Sequence, residues 1–119
     1  MDKLIGIGLY QRDQWPLLLE TADDIDLMEK VYEKWLKGIT RLISNMRAEG
    51  IEPVTVNIDV SELLAYCREN NLKNIGETRS QFVAELLKNG RSGKTENDLF
   101  KNSLQRQQQA IHLWGSTRR

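Results

Sequence analysis

The side chains of this chain that are equipped for chemistry are few, and most lack partners of the right type at the right spacing. Asp23, Asp24, Asp26, Glu29 and Glu33 form an acidic run. Carboxylate oxygens suit hard cations, and on a helix Asp26, Glu29 and Glu33 would neighbour one another at steps of three and four. The same run also suits a solvated helix start, where the dipole favours negative charge. With no further acidic or histidine element aimed at it, no metal or other cofactor is expected. A small metal-dependent enzyme using Asp23, Asp24, Asp26 and Asp59 is kept only as the last alternative. The single histidine, His112, and the single cysteine, Cys67, would need a third, orienting group to make a catalytic set. Spacing from Leu63 and Leu64 marks Cys67 as a buried helical residue, so no catalytic residue is assigned. Gly93-Lys94-Thr95 ends like a phosphate-binding loop, but Lys88 stands where the motif needs its first glycine. In Gly6-Ile7-Gly8, Gln11 replaces the third glycine of a dinucleotide fingerprint. Asn57 and Asp59 remain as a candidate polar site, because they fall at the carboxyl end of a predicted strand, where α/β proteins place ligands. Asp59 serves equally as a helix cap, and that reading is adopted.

Charge divides the chain. Residues 1–89 carry 11 Lys/Arg and 15 Asp/Glu, residues 90–119 carry 6 and 2, and the whole is formally neutral. Arg91, Lys94, Lys101, Arg106, Arg118 and Arg119 alternate with a glutamine-rich stretch. They allow a nucleic-acid-associated accessory role, and equally an attraction between tail and body. Trp15, Tyr32, Trp35, Tyr66 and Phe82 recur at core spacing, which makes them packing residues before a base-stacking platform.

The elements that must position these residues follow from periodicity. At 119 residues the chain is read as one α/β domain over 1–89, with a linker and an appended helix over 90–119. The expected core is a small βαβ unit: strands at about 15–20 and 53–59 joined by a long crossover helix over 24–49. Trp15, Leu17 and Leu19 alternate, with Pro16 confining them to an edge; Val54, Val56 and Ile58 alternate with polar residues. Met28, Val31, Tyr32, Trp35, Ile39, Leu42, Ile43 and Met46 form one apolar helical face, which Gly50 should end in the left-handed conformation. Further helices are expected over about 61–70, capped by Asp59 or Ser61, and 76–88, opened by a capping box from Asn74 to Glu77. Residues 4–10 are read as a short strand or a loose arm. Phe100, Leu104, Ile111 and Trp114 form a heptad-like stripe on an amphipathic C-terminal helix over about 96–114, the candidate interaction surface.

The order of several residues resembles a group of short bacterial proteins without an assigned function. These are Trp15 before Asp23-Asp24, then Tyr32-Glu33-Lys34-Trp35-Leu36, Gly50, Asp59-Val60, Leu63-Leu64, Tyr66-Cys67, and Arg79 before Phe82-Val83. The resemblance covers about 15–88, implies a bacterial cytosolic protein, and brings no active site. One cysteine fits a reducing compartment, and no apolar run approaches the ~20 residues of a membrane span. A cytoplasmic location without membrane contact is therefore expected. Two strands make a marginal sheet, so the functional expectation is a non-enzymatic module that self-associates or binds a protein partner.

Overall fold

The computed structural model describes residues 5–90, a mixed helix and strand fold. Residues 91–119, with the expected linker, the C-terminal helix and Phe100, Leu104, Ile111, His112 and Trp114, lie outside the described residues. In chain order come strand β1 (Gly6–Leu9), helix α1 (Trp15–Thr21), helix α2 (Tyr32–Ala48), strand β2 (Val54–Asn57), helix α3 (Val60–Glu69) and helix α4 (Gly76–Lys88). Short 3-10 turns at Arg12–Gln14 and Ile25–Leu27 precede α1 and α2. The strands pair in parallel, Gly6 opposite Val54 through Leu9 opposite Asn57.

Two expected boundaries are corrected. The segment 15–20 is helix, not strand. Pro16 sits in the first turn of α1, where its missing N–H costs no hydrogen bond, and Trp15 and Leu18, three apart, are its buried residues. The first strand is instead β1, from the stretch read as strand or arm. The long helix begins at Tyr32 rather than 24. Lys30 Nζ donates to the carbonyls of Ile25 (2.6 Å) and Met28 (3.0 Å), fixing a turn ahead of the helix, and the Asp pair that was to start it is engaged elsewhere.

The other ends follow local chemistry. Gly50, at φ +83, closes α2, with Ile51 N–H donating to Met46 O (2.8 Å) and Gly50 N–H to Arg47 O (3.0 Å), the paired bonds of a Schellman stop. Asp59 caps α3, its Oδ1 accepting from Ser61 N–H (2.8 Å) and Glu62 N–H (3.4 Å). Leu9, Leu36, Val60 and Leu63 are fully buried in one cluster that also takes in Trp15, Leu18, Val56, Phe82, Val83 and Leu86. Leu36 lies outside the stripe read from the sequence, whereas Val31 and Leu42 within it are exposed. The buried face of α2 is thus turned by about one residue. Tyr10, Trp15, Tyr32 and Trp35 pack ring against ring beyond the carboxyl end of β1, with centroids 4.9 to 5.9 Å apart.

Candidate functional site: the free edge of β1

A parallel strand directs the backbone groups of alternate residues to opposite edges. Val54 N–H donates to Ile5 O and Ile58 N–H to Leu9 O. Ile5, Ile7 and Leu9 therefore bond toward β2, and Gly6 and Gly8 aim their N–H and C=O groups the other way. Among the described residues no strand pairs with that edge.

The edge opens into a cleft of about 230 Å³, bounded by Gly6 and Gly8 from the strand, Tyr10 just after it, Ile39 from α2, and Arg79 and Val83 from α4. The two glycines let α4 settle directly on the strand. A Cβ on Gly8 would lie 2.9 Å from Val83 Cγ2, and one on Gly6 2.8 Å from Val83 Cγ1 and 2.6 Å from Leu87 Cδ1. Glycine within a strand often marks such a close approach. Because Leu87 meets Gly6 but not Gly8, while Val83, one turn earlier in α4, meets both, α4 runs back along β1.

Gly76 and Arg79 of the cleft wall are held by the Asp23–Asp24 pair. Asp24 Oδ2 accepts from Gly76 N–H (2.9 Å) and from Arg79 Nη2 (2.8 Å). It is the acceptor at the start of α4, supplied from far away in the chain. Asp23 Oδ2 accepts from Asn74 N–H (2.8 Å), and Asp23 N–H donates to Asn74 O (2.9 Å). Arg79 Nη1 reaches Asn74 Oδ1 (3.0 Å) and Asn74 O (3.1 Å). The expected capping box from Asn74 to Glu77 does not form: α4 has no side-chain cap of its own, and Asn74 is buried in this clip.

The electrostatics suit a structural clip. Burial disfavours the charge on Asp24, but the hydrogen bonds from Arg79 and Gly76 and the guanidinium charge outweigh it and hold the carboxyl below its ordinary value. Burial is the main cause that pushes the Tyr10 phenol up to about 12, so at neutral pH it is a neutral hydroxyl. Burial, with Asp23 adding to it, raises the Cys67 thiol; a buried thiol shifted that way is a poor nucleophile.

The other candidates do not converge here. Asn57 ends β2 and Asp59 follows it, both outside the cleft; Asp59 is occupied as the cap of α3, and Asn57 Oδ1 is buried without a partner among the described residues. Among the described residues no group of three or more His, Cys, Asp or Glu side chains is placed to hold a metal, and no helix is long and apolar enough to cross a membrane. The sequence points to an unfinished two-strand sheet, but not to β1 as the strand with the open edge. Gly6 and Gly8, two positions on one face with no side chain, signal the close approach of α4 rather than the open edge. Comparison with protein-family models, curated proteins and solved structures finds no match, so the resemblance over 15–88 rests on its residues alone.

Proposed function

We propose that this chain is a non-enzymatic interaction module of a bacterial cytosolic protein, holding a protein partner or further copies of itself. The observation that carries the reading is the free edge of β1, whose Gly6 and Gly8 backbone groups open into the cleft beside Ile39 and Val83. Exposed strand edges are templates for further pairing, and edge addition is a recurrent way to capture polypeptide. The parallel pair and α2 are taken as the βαβ scaffold, with β1 in the place first given to 15–20. Phe100, Leu104, Ile111 and Trp114 supply a second contact element through their apolar spacing. The groups nearest the cleft are committed to structure: Asp24 and Arg79 to each other, and the Tyr10 ring to Trp15 and Trp35.

Filling the cleft tests this. Ser80 is exposed and lines it, so Ser80→Trp should block entry without disturbing the core, at a stability change within about 0.5 kcal/mol. Sedimentation velocity and affinity capture with the intact chain should show partners or self-assembly reduced at least about tenfold, roughly 1.4 kcal/mol. A chain that stays monomeric and captures nothing, or a variant that captures as well as the original, defeats the proposal.

A further inference from the structure

We infer that the free edge of β1 is an acceptor slot for a bare extended segment of a different polypeptide, an inference that rests on the interaction reading and names the partner's chemistry. The backbone of the edge sets the first requirement. Gly6 and Gly8 present donor and acceptor groups at strand spacing, and only another extended backbone matches that spacing.

The sequence that follows α4 does not read as such a segment. Helix α4 returns along β1 and ends over Gly6, since Leu87 lies against that glycine, so the chain that follows starts at the mouth of the slot. Positions 91–98, however, hold no aliphatic or aromatic residue and include Asn97 and Asp98, residue types depleted in strands. That stretch carries no apolar alternation of the kind a third strand shows.

Dimensions weigh against a second copy laid with its α4 on the same face. Val83 and Leu87 place α4 directly over its own β1. Edge-to-edge pairing would set two β1 strands ~4.8 Å apart and two α4 helices at about the same separation, well inside the ~8–10 Å that packed helices need. A strand without a helix above it avoids that collision.

The walls specify the rest. Ile7, Ile39 and Val83 favour apolar side chains, and Arg79, neutralised by Asp24 at 2.8 Å, asks for no charged one. The partner is an uncharged extended stretch of at least four residues, to match the four residues of β1.

The probe is a blocked peptide of six alternating valine and threonine residues with a lysine at each end, titrated into the isotope-labelled intact chain. Amide exchange at Gly6 and Gly8 should slow by about tenfold or more, while Ile7 and Leu9, already paired, stay unchanged. The same peptide N-methylated along its bonding edge should give no protection, and the Ser80→Trp chain should not respond. Unprotected glycines at the highest soluble peptide concentration overturn the inference. So does protection that grows with protein concentration alone, which would place a second copy on the edge and leave the interaction reading standing. Glycines as slow as Ile7 and Leu9 in the dilute, peptide-free chain would overturn both, because the edge would then be filled from within.

Discussion

Asp24 shows how one carboxylate can replace local sequence signals. Its single Oδ2 serves the first N–H of α4 and the Arg79 guanidinium together, with both side chains largely buried. Asp24→Asn should destabilise the fold by about 2–3 kcal/mol, the scale for losing hydrogen bonds to a charged group and leaving its cation unmatched. The pH dependence follows from the lowered pKa. The contribution of Asp24 is fully present above its unfolded value and is lost as pH falls through the lower folded value. Chemical denaturation from neutral pH into the acid range should therefore show a stability loss in the original chain that is smaller in Asp24→Asn; equal acid limbs would refute the assignment. The sequence shows Asp23-Asp24 plainly, but not its use. A helix start immediately downstream was the nearest reading, and nothing local reveals that the N–H groups being satisfied belong to Asn74 and Gly76. By contrast the Asp59 cap was readable, since donor and acceptor lie two and three residues apart.

At the level of elements, β1 and α4 are fitted through absent side chains. Gly8→Ala should cost about 1–3 kcal/mol by overpacking, because its new methyl meets Val83 Cγ2 at 2.9 Å and Ile58 Cγ1 at 3.2 Å. Val83→Ala alone should be destabilising through its cavity. In the double variant the two should couple favourably, and thermal melts of the four chains give that coupling energy directly. Strict additivity would mean that the helix does not rest on that glycine. Helices α3 and α4 were legible because their apolar residues recur at helical spacing over a whole element; Phe82, Val83 and Leu86 are buried as read. Helix α1 was not, because Leu17 and Leu19 pack against the core beside Trp15 and Leu18. A short helix with apolar residues on nearly every side looks like alternation when only every second one is counted. Pro16 was the tie-breaker, as compatible with a helix start as with a strand edge.

For the whole molecule, charge and architecture ask the same question of residues 91–119. Ending the chain at Gly90 removes the basic part of a sequence that is neutral only as a whole, together with Phe100, Leu104, Ile111 and Trp114. If that segment carries self-association, light scattering should report a lower mass for the shortened chain. If instead it shields the domain, the mass should rise and the chain should bind more of a hydrophobic dye. Equal mass, stability and dye binding would remove the segment from the interaction proposal. The candidate site was the least legible part of the sequence, because a strand edge is made of backbone groups, and only topology decides which of them are left over. The parallel register has a further consequence, in time rather than space. Gly6 must wait for Val54, with both helices of the crossover between them, and parallel pairing can be rewarded only after that long loop has closed. During synthesis, β1 therefore leaves the ribosome with both edges bare and gains its first partner only after α2 and β2 have followed. Its exposure to stray strands is greatest early, and a chaperone that meets this nascent chain would find its first strand unpaired.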